Sequence, residues 1–407
     1  MWFLAHSALT KGDVLDTVVP LLVIAAREHA KKATQDKVFW EVSRWIEWNC
    51  SVLMSGKGAE RGFYGEEFKC GSSQARIAGV PLAGGWTATF AGTTGDYKAR
   101  HEWNGTEHYY QKTRLCEACG ARQPTTEANA LWTYGDFRHR AAWTCTMTTI
   151  PPGSSPLQQI PGWNIEMSHR DIDHTIYLGF GRDICSSAII SMLTLSLLGE
   201  GSPDEQLGRL HAEFDTWCHH HGLKRPAGKR LSLRTLGRAD TSKAYPLLST
   251  SWKAMATKVL IMFMAFKTER VCRIGDFQKL IATCSWGLAD FVNCLDEGGI
   301  TLGPNEIARA LNSGRVCLLS LQALCVCAHQ QDLWLWRLRP KCHYFDHILR
   351  TLEVSNLNPK LFGTLRCEDM LGKLKRIGKA CDRRTASMRI LQRWLLLQSV
   401  RLQKWGC

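Results

Sequence analysis

Five short segments hold residues whose types and spacing can do chemistry. The first is GTTGDYK, Gly92 to Lys98. A carboxylate that follows glycines at the end of a short strand can face a cleft, and Asp96 so placed can hold a hard cation such as Mg²⁺ through oxygen. The same residue can equally cap its own turn. The second is CEACG, Cys116 to Gly120. Two thiolates two residues apart can grip one Zn²⁺ at tetrahedral angles, but the ion needs two more ligands. His139, Cys145, His169 and His174 are candidates, and no second CxxC pair exists.

The third segment is DIDHTIYLGFGRD, Asp171 to Asp183. On a helix, Asp171 and His174 share a face and can ligate a metal; the same acids also suit a helix start, as N-cap and first-turn residues. The fourth is RPKCHYFDHILRTL, Arg339 to Leu352. Pro340 opens a helix there, with His343 and His347 on one side at the spacing of a zinc-binding helix. The acid beside the first histidine that a metalloprotease needs is missing; Asp346 neighbours the second. The fifth is RCEDMLGKLKRIGKACDRR, Arg366 to Arg384. Glu368, Leu371 and Lys375 share a helical face, so a carboxylate leads a basic helix, which suits an enzyme acting on a polyphosphate and equally a surface helix with ordinary ion pairs. The run Cys218-His219-His220-His221 points its side chains in different directions and makes a poor single site.

The elements that position these residues follow from hydrophobic spacing. Leu15, Val18, Val19, Leu22 and Val23, then Phe39, Val42, Trp45 and Ile46, predict helix over 12–50. Thr87–Gly92 alternates as a short strand does. Residues 150–163 carry four prolines and read as a connector. The run Ile184–Leu198, interrupted by serines, reads as a buried helix too short to span a bilayer. Further helices are expected over 251–268, 275–296 and 304–335, and Ile390, Leu391, Trp394, Leu395, Leu397 and Leu402 mark an amphipathic helix with a basic far face.

The 407 residues carry a formal net charge of +14 and 45% hydrophobic residues. That share builds a core, and that charge draws polyanions, nucleic acid first and an anionic membrane second. The positive charge is concentrated. Seven basic residues, Lys224, Arg225, Lys229, Arg230, Arg234, Arg238 and Lys243, stand against Asp240 in the break over 222–246, and eleven stand against three acids over 366–407. Lys224, Arg225, Lys229, Arg230, Lys373, Lys375 and Arg376 are thus the expected contacts to a phosphate backbone. The seventeen cysteines are scattered rather than framed, which points to reduced thiols in a reducing compartment. Met1–Leu9 lacks the basic start of a signal peptide. DNA is the expected partner, with no membrane.

The order of these segments, GDYK, CEAC, PGWNIEMSHRDIDHTIYLGFGRD, RPKCHYFDH and CEDMLGKLKR, resembles the catalytic core of cut-and-paste DNA transposases of the CACTA and Plavaka-like kind. The resemblance covers roughly 85–200 and 335–400. It implies an α/β, RNase H-like core with a long α-helical insertion, in a chain that is helix-rich overall. It places a first region of helices and loops over 1–84, the first part of the core with its CxxC over 85–200, the insertion with its basic loop over 201–335, and the last catalytic helix and basic tail over 336–407. Asp96 and Glu368 match catalytic carboxylates of the family, Cys116 and Cys119 its two-cysteine zinc motif, and His174 a further ligand. The family's upstream catalytic Asp is missing, since no Asp lies between Asp36 and Asp96; Asp173 or Asp171 substitutes, the chain is a fragment, or catalysis is lost. The implied chemistry is phosphodiester cleavage and strand transfer with two Mg²⁺ (or Mn²⁺) ions held by Asp96, Glu368 and Asp173, besides a structural Zn²⁺, in a nuclear protein that can form a homo-oligomer. Two other readings remain: a zinc-stabilised nucleic-acid-binding protein without catalysis, and a helical interaction protein without chemistry.

Overall fold

The computed structural model describes residues 2–5, 18–22, 32–85, 87–88, 90–108, 110–124, 133–147, 155–223, 230–238, 244–382 and 384–404; for 2–37, 83, 366–368, 387, 398 and 401–404 it describes the backbone alone. Lys224, Arg225 and Lys229 lie outside the described residues. The chain is helix-rich, with eleven α-helices among the described residues, and it falls into two compact units.

The first unit comprises 1–120, 146–169 and 366–407. Helix was expected through 12–50, but Val18–Leu22 (β2) is a strand, antiparallel to Trp2–Ala5 (β1). Its Val-Val-Pro-Leu-Leu sequence explains the difference: β-branched residues favour strand, and Pro20 fits an edge. Helix is present at Lys32–Ser55 (α1), with a single turn of helix at Ser73–Ile77 (α2). The strand expected at 87–92 forms instead at Thr93–Gly95 (β3), where two threonines supply the β-branching. β3 pairs in parallel with Ser168–Arg170 (β4). It runs straight into Tyr97–Asn104 (α3), which ends at Gly105 in the left-handed conformation at φ 59°. Leu365–Lys379 (α10) and Ala386–Lys404 (α11) pack through Met370, Leu374, Ile390 and Trp394, all buried.

The second unit comprises 121–145 and 170–365. A π-helical turn, Asp173–Phe180, leads into Gly181–Thr194 (α4). Then come Pro203–His220 (α5), Ala254–Val271 (α6), Asp276–Glu297 (α7), Pro304–Gln330 (α8) and Pro340–Ser355 (α9). Prolines at the first helical position start α5, α8 and α9, where the missing N–H costs nothing. The His219–His221 run ends α5, exposed, as its sequence suggested.

Phe345 of α9 is fully buried between Phe180 and Phe291, with ring centroids 5.1 and 4.8 Å away. The stretch Asp173–Thr194 is long and apolar enough to cross a membrane by length and composition, as is α8, but 83% of its most apolar window is buried inside the fold. It therefore serves as the central helix of this unit.

Helices α7 and α8 approach closely because Gly287 has no side chain. A Cβ there would lie 2.8 Å from the Ser313 carbonyl oxygen and 2.9 Å from the Cys317 amide, both backbone atoms that cannot swing away. Gly287→Ala is therefore expected to destabilise the protein by about 1–3 kcal/mol, because overpacking outweighs the ~1 kcal/mol that alanine gains in an open helix. Urea unfolding measures this, and a more stable variant would show that the two helices can part.

Candidate metal centre

The GDYK and CEAC segments act together. Asp96 follows β3 directly and caps α3, its side chain accepting a hydrogen bond from the Ala99 amide at 2.8 Å. Cap and strand together fix the rotation of α3. That rotation carries Tyr97 and Arg100 toward the cysteine loop. The Tyr97 hydroxyl bonds the Leu115 carbonyl and lies 3.2 Å from Glu117. Arg100 pairs with Glu117, the residue after Cys116, and both are almost fully buried. Arg100 also donates to Ser168 at 3.2 Å, and Asn104 donates to the same hydroxyl at 2.8 Å. His108 donates to the Cys116 carbonyl at 2.8 Å, and the Ala118 amide points at the Cys116 sulfur from 3.4 Å.

The two histidines come from α9. Pro340 sets its first turn, so His343 and His347 fall one turn apart on the same face. Both are fully buried. Trp143 packs its ring 4.5 Å from His343 and 5.2 Å from His347, and its indole N–H is held by the Asp136 carbonyl at 2.9 Å. Arg350 lies over the other side of this contact, 4.9 Å from the Trp143 ring, and pairs with Asp346 at 3.2 Å. Burial pushes the Asp346 carboxyl up, while Arg350 and the two imidazoles pull it back.

Cys116, Cys119, His343 and His347 are all buried, and one ligand atom from each lies within 4.8 Å of the other three. A tetrahedral zinc site sets its ligand atoms about 3–4 Å apart, given bonds of roughly 2.0–2.3 Å. Two sulfurs and two imidazole nitrogens, buried and clustered in this way, could hold a metal ion such as zinc. Neither cysteine is in a disulfide, nor is any other cysteine whose side chain is described.

The sequence offered His139, Cys145, His169 and His174 to complete the CxxC site, and the cluster instead takes His343 and His347. His139 and Cys145 are exposed. His169 bonds the Ala91 carbonyl at 2.8 Å. His174 sits against Asp171, 2.5 Å from its carboxylate, and 3.1 Å from the Thr364 hydroxyl. The i, i+4 spacing of His343 and His347 was legible, but nothing in a linear reading joins them to cysteines about 220 residues away.

Asp171 and Asp173 form a second polar centre at the start of α10. Asp171 accepts from the Thr364 hydroxyl at 2.5 Å and from its amide at 3.2 Å. Asp173 accepts from the Leu365 amide at 2.9 Å. The two acids thus satisfy N–H groups that a helix start leaves open. Glu368 follows Leu365 by three residues, in the first turn of the same helix. Of the other expected backbone contacts, Lys373 pairs with Asp369 at 3.2 Å, Lys375 and Arg376 are exposed on α10, and Arg230 is exposed.

The Asp173 carboxyl is pushed from an ordinary 3.8 up to about 6, by burial first and by Asp171 second; the Leu365 amide, His174 and Lys258 oppose the shift. The folded protein therefore holds this proton more tightly than the unfolded chain. Its contribution makes stability fall as pH rises from about 4 to about 6, with no further change above. Asp173→Asn is expected to remove that slope from the unfolding free energy measured across this window; an unchanged slope would assign it to other groups.

No family model, curated protein or solved structure matches this chain.

Proposed function

We propose that this chain is a zinc-stabilised, DNA-binding protein of the cut-and-paste transposase kind, built on an RNase H-like core and carrying out, or descended from, metal-dependent strand cleavage and transfer. The observation that carries this reading is the four-residue cluster. CEAC and HYFDH, two segments of the transposase-like order, supply the four buried ligand atoms of one candidate zinc site. A chance succession of short motifs has no reason to do so. A bound zinc would neutralise two thiolates. Arg100, Tyr97 and His108 orient the CxxC loop, and Trp143 packs against the imidazoles. The basic residues of α10, Lys375 and Arg376, suit the DNA backbone.

The test of class is a DNA titration at several salt concentrations. Binding through several phosphates weakens steeply, with a slope of about −0.9 per contact in log affinity against log salt. Affinity for duplexes of unrelated sequence at ~50 mM salt, lost by roughly a thousandfold or more at ~200 mM, is the expected result for six or more contacts. A protein that binds no DNA at low salt is instead a helical interaction protein.

A further inference from the structure

The second unit carries a crowd of positive charge that the metal centre does not use. Asp183, on α4, is buried. Arg339 grips its carboxylate with contacts of 3.0 and 3.1 Å, and Arg337 stands 3.6 Å from the same group. Lys341 and Arg182 act on it electrostatically. Four cations thus surround one carboxylate. None of the four is fully exposed: Arg337 and Arg339 keep only 32% of their side-chain surface, and Arg182 and Lys341 are half-buried.

Burying an excess of like charge is unfavourable unless something offsets it. The protein offsets little of it. Lys341 has a carbonyl, that of Leu178, at 3.3 Å, and Arg182 has the Trp252 carbonyl. The Nε–H groups of Arg182 and Arg337 are buried with no acceptor. Burial lowers Arg182, and Arg339 adds to it, against Asp183.

An anion would reverse each of these penalties. It would satisfy unpaired N–H donors and neutralise the excess charge. Three guanidinium groups and an ammonium suit a tetrahedral oxyanion of more than one charge, because several oxygens can be bonded at once. A carboxylate ligand would gain less, since it offers only two oxygens in one plane.

We propose that Arg182, Arg337, Arg339 and Lys341 form a phosphate-binding site on the second unit. That the phosphate belongs to a DNA backbone rests on the function proposed above; the site itself does not.

Lys341 gives a readout on the whole, unmutated chain. An amine-acylating reagent should modify it, and mass spectrometry follows that one peptide. Phosphate, compared with chloride at equal ionic strength, should slow the labelling several-fold. Duplex DNA should do the same if the backbone is the natural source. Protection by inorganic phosphate alone supports the site and assigns it to a free phosphate or a small phosphorylated molecule. If neither phosphate nor DNA protects Lys341, the site does not exist, even where DNA binding itself is intact.

A second measurement uses Arg337→Gln, which leaves the Arg339–Asp183 pair in place. The thermal midpoint of the native protein should rise in phosphate, and that rise should vanish in the variant while remaining in Arg273→Gln, which removes an exposed cation elsewhere. With DNA as ligand, Arg337→Gln should lower the salt slope by about 1. Equal phosphate stabilisation of both variants would overturn the proposal.

Discussion

Cys119→Ser is expected to strip the protein of zinc and to destabilise it by several kcal/mol, the largest single-residue effect anticipated on its stability. A hydroxyl is a poor zinc ligand, so three donors remain where a structural site needs four. In small zinc domains the metal supplies about 10–16 kcal/mol of apparent folding free energy at neutral pH. A chain of 407 residues has large cores of its own and will not unfold outright. The loss should nonetheless match or exceed the ~3–5 kcal/mol of a large core truncation, because the substitution also leaves Cys116 and two imidazoles buried without their metal.

The measurement pairs metal analysis by mass spectrometry with thermal unfolding. The native protein should carry about one zinc per chain, and the variant much less than half of that. Cys145→Ser is the control: Cys145 is exposed, with its thiol on the Ala142 carbonyl, and its loss should change neither quantity. His347→Ala should behave as Cys119→Ser does. Lowering the pH should release the metal, because the ligands must give up their protons to bind it. A native protein purified without any metal, or a variant that retains it, would remove the centre and the functional reading with it.

The second large effect concerns Glu368. Under the proposed function, Glu368→Ala abolishes divalent-metal-dependent nicking of DNA, by roughly a thousandfold or more, and leaves DNA binding intact. The argument starts from the helix. Asp171 and Asp173 bond the Thr364 and Leu365 amides and so fix where α10 begins. Glu368 then falls in its first turn, where the N-terminal dipole favours a carboxylate. In two-metal phosphodiester chemistry each acid sets an ion's position as well as its charge, so losing one removes both. Binding is carried by other residues, such as Lys375 and Arg376, and should not change. A supercoiled plasmid supplies the assay, with Mg²⁺ or Mn²⁺ added. Nicking that survives the substitution would place the chemistry elsewhere. A native protein that binds DNA tightly but never cuts it, with either ion, would favour the non-catalytic, zinc-stabilised reading.

Much of the helical framework was written locally in the sequence. The helices over 254–271, 276–297 and 304–330 follow from apolar spacing, and Pro203, Pro304 and Pro340 mark three helix starts. These signals depend on neighbours three or four residues away, which a sequence displays directly. Where two local preferences competed, the reading failed. The apolar run around Val18 fits either period, and β-branching with Pro20 decided for strand. The strand before Asp96 formed six residues later than expected, at the two threonines beside it.

The candidate site divides in the same way. The CxxC pair, the HxxxH pair and the carboxylates at 96, 171, 173 and 368 were all visible as types and spacings. Which belonged together was not. Only the fold brought His343 and His347 to the cysteines, because a metal site selects ligands by distance in space, whereas the Asp171–His174 pair, three residues apart, was legible. The same holds for Arg182, which stands about 155 residues from Arg337 and Arg339 in the chain and shares Asp183 with them. Short-range spacing determined the helices and the chemistry of each fragment. Long-range packing decided their partners, since burial and charge act between atoms regardless of their order along the chain.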